Sequence, residues 1–252
     1  MSGAAGRTVA VSGAASGVGE ASVRELIAAG YGVVGVDLAE LPSSLAGLER
    51  LEWVRGDVTD PATWEQVERR CRERDPEGAW GLVACAADVT VSPFLETPAE
   101  EWRRLYEINV LGVVRGMQAL IPAMVERGAG AIAVTCSVNS YFVEREISHY
   151  SASKAALLSA TRTAALEFAP QGLRINAVCP GVVDTPLLRK HVESTPDPEA
   201  MDRGMRERIP TGAITTPEEV AHLLVFLVGD GAAGLSGAAL TVDGGLTTTY
   251  EF

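Results

Sequence analysis

Tyr150 and Lys154 stand four residues apart in Tyr150-Ser151-Ala152-Ser153-Lys154, a spacing that makes them neighbours on one helix face. A phenol is a weak acid, and an ammonium beside it favours the phenolate, so the pair predicts a general acid/base. Taken alone, the same spacing also describes an ordinary helix surface. Ser137 lies 13 residues upstream, directly after an apolar run that reads as a strand. Its hydroxyl could bond a substrate carbonyl or alcohol, or start a turn. A second feature is the stretch Ser12-Gly13-Ala14-Ala15-Ser16-Gly17-Val18-Gly19, with glycines spaced G-x-x-x-G-x-G between a strand and a helix. Glycine there lets the backbone turn sharply and approach a pyrophosphate, and the helix N-terminus supplies free N–H groups. Asp37 ends the next apolar run, 18 residues after Gly19. A carboxylate there can accept both hydroxyls of an adenosine ribose and repels a 2′-phosphate. No Arg or Lys lies in the glycine turn or directly after Asp37, which favours NAD over NADP. The plainer reading of Asp37 is a cap on the following turn. Asp57 either meets the adenine amino group or starts the turn toward Pro61.

These residues need elements to hold them. Seven short apolar runs, at 7–12, 31–36, 51–55, 80–84, 131–135, 174–178 and 238–242, alternate with helical patterns. Val23, Leu26 and Ile27 mark one helix face, and Gly30 sits where a C-terminal cap belongs. Asp60-Pro61 opens a helix carrying Trp64, Val67 and Cys71. Thr97-Pro98-Ala99-Glu100 and Thr216-Pro217-Glu218-Glu219 both fit capping boxes. The first should open a long helix with Trp102, Leu105, Asn109 and Val113, which Pro122 would bend or stop. An alanine-rich helix spans 149–169. Continuously apolar strands predict a parallel sheet buried on both faces. The expected fold is α/β: a single doubly wound, Rossmann-type domain over 1–252, with a seven-stranded parallel sheet and helices on both faces. Residues 186–212, with four prolines, follow a strand's carboxyl end and should cover the ligand crevice.

The 252 residues carry 21 Lys+Arg against 33 Asp+Glu, a formal charge of −12, with 47% hydrophobic and 21% charged residues. Disorder is excluded as the main state, and an acidic chain does not suit a phosphate backbone, so no nucleic-acid partner is expected. No stretch approaches the ~20 apolar residues of a membrane span. The start lacks the pattern of a signal peptide, and a cytoplasmic protein is the default expectation. Cys71, Cys85, Cys136 and Cys179 are scattered, without metal-ligand spacing. They read as reduced thiols, and no metal site is expected.

Together, Gly13-x-x-x-Gly17-x-Gly19, Asp37, Asn109, Ser137, Tyr150-x-x-x-Lys154, Pro180-Gly181 and Val242-Asp243-Gly244-Gly245 resemble the short-chain dehydrogenase/reductase family in order and spacing, from Arg7 to about Gly245. The resemblance implies that Tyr150 exchanges the proton with the substrate oxygen. Lys154 would hold the nicotinamide ribose, and Ser137 would position the carbonyl. Asn109 would hold a water linking Lys154 to solvent, while also satisfying a helix irregularity. Cofactor contacts would come from Gly13, Ser16, Gly17, Val18, Gly19, Asp37, Asp57, Val58, Cys85, Ala86, Tyr150, Lys154, Pro180, Val183 and Thr185. The chain departs from the family at Ala84-Cys85-Ala86-Ala87, where Asn-Asn-Ala-Gly is usual. The missing amides normally brace the central strands, and Ala87 narrows backbone freedom.

At the substrate end, Ser137, Asn139, Tyr150 and Leu187 are the expected contacts. Val89, Phe94, Tyr141, Phe142, Leu188, Met201 and Met205 are further pocket candidates, or ordinary core. Their apolar character suggests a hydrophobic alcohol or ketone. The expected activity is an NAD-dependent alcohol dehydrogenase or carbonyl reductase. The alternatives are an NADPH-type 3-oxoacyl thioester or polyketide ketoreductase, and a non-catalytic NAD-binding regulator on the same fold. A homotetramer is expected. Its contacts would be the small residues of the 149–169 helix, an apolar face around 110–117, and a tail ending in Tyr250 and Phe252.

Overall fold

The computed structural model describes residues 6–77, 80–193 and 197–248, with only the backbone at Leu187, Lys190 and His191. The C-terminal aromatics Tyr250 and Phe252 lie outside the described residues. The elements run β1 (Thr8–Ser12), α1 (Gly17–Ala28), β2 (Gly32–Asp37), β3 (Leu51–Arg55), α2 (Pro61–Arg74), β4 (Gly81–Ala84), α3 (Ala99–Tyr106) and α4 (Gly112–Arg127). They continue with β5 (Gly130–Thr135), α5 (Ser148–Phe168), β6 (Leu173–Pro180), α6 (Pro186–Glu193), α7 (Pro198–Glu207), α8 (Pro217–Val228) and β7 (Ala239–Val242). Among the described residues, seven parallel strands form one sheet in the order β3-β2-β1-β4-β5-β6-β7. The chain winds outward from β1 to β3, returns across to β4, and winds outward again to β7. This is the doubly wound α/β fold, and its direction reverses between β1 and β4.

Burial follows from the position of each strand. β1, β4 and β5 are central and β1 and β4 are buried along their whole length, whereas the edge strands β3 and β7 are only partly covered. Trp64, Val67, Leu120, Met124 and Leu157 pack one sheet face. Val23, Leu26, Val220, Leu224 and Leu227 pack the other. Asp60 caps α2 through Ala62 N–H, with Pro61 in the first turn. Thr216 and Glu219 form a complete capping box on α8. Gly30 takes the left-handed conformation (φ 94°) that ends α1.

Four expectations need correction. Thr97 makes no capping box; its hydroxyl donates to the Ser92 and Pro93 carbonyls, and α3 starts after Pro98 without a side-chain cap. Pro122 does not end α4, which runs on to Arg127 and stops at left-handed Gly128 (φ 69°). The irregularity sits earlier, at a wide π turn over Glu107–Leu111 in which Gly112 N–H donates to the Glu107 carbonyl. The continuous helix Ala99–Arg127 is long and apolar enough to cross a membrane, contrary to the sequence reading. More than half of its most apolar stretch is buried inside the fold, as for a core helix. Finally, Val110, Val113 and Met117 already pack within the chain, and a Cβ on Gly116 would meet the Trp64 ring at 2.6 Å. Those side chains are committed within the chain, while Leu111 and Val114 on the same turns stay half-buried.

Candidate active site

The ends of β1, β2, β4, β5 and β6 bring the sequence-marked residues to one edge of the sheet. Gly13 (φ 67°) and Gly17 (φ 53°) both need the left-handed region, which disfavours a side chain. Gly19 needs space instead: a Cβ there would stand 1.9 Å from the Gly13 carbonyl oxygen. A Cβ on Gly13 would stand 2.7 Å from Ala86 N, so the turn packs backbone against backbone on the segment after β4. Ser16 precedes α1 in extended conformation, exposed, with no side-chain capping bond. Its hydroxyl and the first N–H groups of α1 can meet an anion. Val18 packs partly into the core beneath. Thr185 closes over this turn, since a Cβ on Gly17 would lie 3.2 Å from its methyl. Its hydroxyl accepts from Leu188 N–H. Val183 bridges to Thr215, and Pro180 ends β6 beside Val242.

Asp37 is more than a turn cap. Its carboxylate accepts from Ala39 N–H at 2.9 Å and from Ala15 N–H at 3.0 Å, so it ties β2 to the glycine turn. Each oxygen keeps lone-pair capacity for a further donor. Asp57 starts the turn after β3 by accepting from Thr59 N–H, with Val58 buried behind it. Across the sheet, Arg55 stands opposite Asp37 in the β2–β3 register. It donates to the Leu38 carbonyl and pairs with Glu40. A cation does flank Asp37, supplied by the neighbouring strand and invisible in the linear neighbourhood of residue 37.

On the other side of the switch point, Lys154 is 2% exposed, and its ammonium donates to the Thr135 carbonyl at 2.9 Å. It lies 5.7 Å from the centre of the Tyr150 ring. Ser137 is buried at the end of β5 and its oxygen accepts from Asn139 N–H. Asn109 is fully buried. Its amide clasps the Asp88 backbone, accepting from Asp88 N–H and donating to Asp88 C=O, and its second N–H goes to Ser153. Both amide hydrogens are thus committed, and a water on Asn109 would have to use an oxygen. Cys85 and Ala86 donate their main-chain N–H groups to the Ser12 carbonyl and hydroxyl. The Cys85 thiol contacts the Thr135 hydroxyl, and burial pushes it up to about 11. Cys71, Cys136 and Cys179 are buried free thiols. Burial does not suit nucleophilic chemistry.

The expected substrate residues divide. Phe94, Asn139, Tyr141 and Phe142 line an open cleft of about 710 Å³ with Trp102, Ser148, Ser151, Ala152 and Ala155. Neither Ser137, Tyr150 nor Lys154 lines it, because Ser148, Ser151, Ala152 and Ala155 occupy a different face of α5. Met205 is buried, Val89 and Leu188 are half-buried, and the Leu187 side chain lies outside the described residues. The sequence reading missed Thr90, Glu101 and His149, a polar chain that runs from the half-buried Glu101 to the buried His149 beside Tyr150. A histidine next to the tyrosine was the one available signal.

Comparison with known proteins agrees with this geometry. Residues 13–247 match the family profile described as enoyl-(acyl carrier protein) reductase. The chain is 36% identical to cis-4-hydroxycyclohexanecarboxylate dehydrogenase of Sinomonas cyclohexanicum, over 96% of both chains. It is 33% identical to dehydrogenase/reductase SDR family member 6 of Xenopus laevis, over 95% of this chain and 97% of that one. It is also 33% identical to 2-(R)-hydroxypropyl-CoM dehydrogenase of Xanthobacter autotrophicus, over 96% and 98%. Among solved structures, levodione reductase superposes with TM-score 0.93 at 26% identity, covering 98% of this chain and all of that one. The fold and this edge of the sheet define a nicotinamide-dependent oxidoreductase. The chain belongs to the short-chain dehydrogenase/reductase family.

The glycine turn yields a direct prediction. Gly19→Ala forces a methyl against the Gly13 carbonyl and must open the turn. Affinity for the reduced nicotinamide cofactor, read by fluorescence titration, should fall at least about tenfold while the far-ultraviolet dichroism stays that of the wild type. Unchanged affinity would mean that this turn does not bind the cofactor.

Proposed function

We propose that the protein is an NAD-dependent dehydrogenase/reductase of hydrophobic secondary alcohols and ketones. The observation that carries this reading is the buried Lys154 ammonium beside the Tyr150 ring on α5, bonded to the end of β5 that also leads into Ser137. The turn between β1 and α1 fits a dinucleotide. It offers a cradle that Cβ atoms would fill, free helix N–H groups and a carboxylate at the ribose end. Gly13, Ser16, Gly17, Val18 and Gly19 would hold the pyrophosphate side, Asp37, Asp57 and Val58 the adenosine, and Cys85 and Ala86 the strand beneath. Pro180, Val183 and Thr185 would hold the carboxamide end. When bound, NAD supplies the hydride acceptor or donor.

Tyr150 moves the proton at the substrate oxygen, Lys154 holds the phenolate charge and the ribose, and Ser137 orients the oxygen. Asn109 would serve the proton path through its carbonyl, because its amide is engaged by Asp88 and Ser153. The helices α6 and α7 after β6 would cover the substrate. Relatives named for hydroxycyclohexanecarboxylate and hydroxypropyl-CoM support a hydroxyl substrate on a ring or short chain. Asp37 counts against an NADPH-type acyl thioester reductase. A cytoplasmic location goes with this reading.

Replacing Tyr150 with Phe removes the hydroxyl and keeps the ring. Turnover across a panel of secondary alcohols and ketones should fall ~10²–10⁴-fold with NADH binding retained. A loss below about tenfold would assign the proton to another group.

Cofactor choice rests on Asp37, whose carboxylate gains charge-assisted bonds from two ribose hydroxyls and opposes a phosphate. The expected preference in kcat/KM is at least ~100-fold for NAD, about 2.7 kcal/mol. Asp37→Ala should shrink it, since Arg55 still flanks the position from β3. Equal use of both cofactors by the wild type would sink the assignment.

The outer face of α5 leaves Ala152, Ala155, Ser159 and Leu166 exposed, next to the half-exposed rings of Tyr141 and Phe142. Small residues along the helix admit close approach of the same helix from a second copy, as in a two-fold contact within a homotetramer. Sedimentation at micromolar concentration should give the tetramer; a monomer would overturn this.

A further inference from the structure

We propose that His149 is a positioning residue for Tyr150, acting through a closed ring of hydrogen bonds that locks the start of α5 to the segment after β4. The proposal rests on the reading of Tyr150 as the proton-transferring group.

The ring can be followed atom by atom. His149 Nε2 and Thr90 Oγ1 are 2.7 Å apart, and Thr90 Oγ1 donates to Glu101 Oε1 at 2.7 Å. Arg104 forks onto both Glu101 oxygens and donates to Asp88 Oδ2 at 2.6 Å. The Asp88 backbone is clasped by Asn109. Asn109 donates to Ser153, and Ser153 donates to the Tyr150 carbonyl at 2.7 Å. The circuit closes on the peptide joining His149 to Tyr150. The imidazole anchors residue 149 and the Tyr150 carbonyl, in the following peptide, anchors residue 150, which together restrain rotation and sliding of the residue that carries the phenol.

The ring also sets the tautomer. Arg104 holds the Glu101 carboxyl down at about 2, so Glu101 is ionised and can only accept. The single Thr90 proton therefore goes to Glu101, and the Thr90 oxygen accepts from His149 Nε2–H. Nδ1 is left as an unpartnered lone pair inside the protein. His149 is 1% exposed, with the Trp102 ring 5.9 Å away. The charged groups facing it are Glu101 and Arg104 from α3, with Asp88 behind Arg104; on its own helix the titratable neighbours are Tyr150 and Lys154. Burial outweighs the Glu101 charge and holds the imidazole below its ordinary value of 6.5.

The sign of the pH effect follows. The folded state keeps His149 neutral, whereas the unfolded chain takes up a proton as the pH falls through 6.5. The contribution to stability is complete above that pH and declines below it. Protonation would place an Nδ1–H without an acceptor in the interior, so the ring loosens further into acid, below the pH at which the unfolded chain takes up its proton.

The experiment uses the full chain and the secondary alcohol that the panel above turns over fastest. His149→Leu should lower kcat at least about fivefold at pH 7.5 with the NADH dissociation constant within about twofold of wild type. His149→Gln keeps a donor for Thr90 but cannot titrate. It should restore most of kcat and remove the acid inflection below pH 6.5 from the kcat profile. Thr90→Val, a near-isosteric change outside α5, should reproduce the loss in kcat, and it serves if His149→Leu does not fold. Imidazole ¹⁵N shifts should report the Nε2–H tautomer for His149. A lower melting temperature with unchanged kcat and pH profile in both His149→Leu and Thr90→Val would overturn the proposal and leave a merely structural histidine. Retained turnover in Tyr150→Phe would instead overturn the reading of Tyr150.

Discussion

The Gly13 carbonyl oxygen occupies the space where a Cβ of residue 19 would stand, and Gly13 itself lies against the backbone of Cys85 and Ala86. Three stretches of main chain meet there without side chains between them: the end of β1, the first turn of α1 and the segment after β4. The contact sits where the winding of the sheet reverses, so it sets the width of the crevice between β1 and β4. Asp37 reaches the same turn from β2 through Ala15 N–H, and Thr185 closes on it from the chain after β6. Four strand ends are therefore referenced to one glycine turn. A displacement there would move all four strand ends together.

The central strands are braced in an unusual way. The segment after β4 reads Ala84-Cys85-Ala86-Ala87, where the family resemblance implies paired amides. Ser12 on β1 compensates by accepting from the Cys85 and Ala86 N–H groups through its carbonyl and hydroxyl. Thr135 on β5 meets the Cys85 thiol with its hydroxyl while its carbonyl holds Lys154. Asn109 secures the next residue, Asp88, by both main-chain groups. Each such bond contributes about 1 kcal/mol net, and leaving any of these buried groups unpaired would cost more. Ala87 needs no glycine, because among the described residues only Glu146 is a non-glycine with positive φ.

The π turn at Glu107–Leu111 belongs to the same construction. Widening one turn of the helix brings Asn109 fully inside and turns its amide to Asp88 on one side and Ser153 on the other. A regular helix would keep every main-chain bond in the i to i+4 pattern and change the phase of residue 109 relative to Leu105 and Val113. The helix irregularity and the buried amide are thus one feature.

The sequence by itself determined the strand and helix alternation, the parallel sheet and the residues Gly13, Gly17, Gly19, Asp37, Ser137, Tyr150 and Lys154. These were legible because each rests on local chemistry: a periodicity, a required φ, a spacing of four on a helix. The capping boxes show the limit of that logic. Thr216-Pro217-Glu218-Glu219 closes its box, while Thr97-Pro98-Ala99-Glu100 does not, since the Thr97 hydroxyl finds the Ser92 and Pro93 carbonyls first. What only the tertiary structure decided are relations across elements. Arg55 flanks Asp37 through β-sheet register, 18 residues away along the chain. Phe94, Asn139, Tyr141 and Phe142 line a cleft on a different face of α5 from Tyr150, because helix phase and loop path place them there. His149, Thr90 and Glu101 meet because three separate elements converge. A sequence pattern carries the periodicity of one element, and contacts between elements depend on how their buried faces pack.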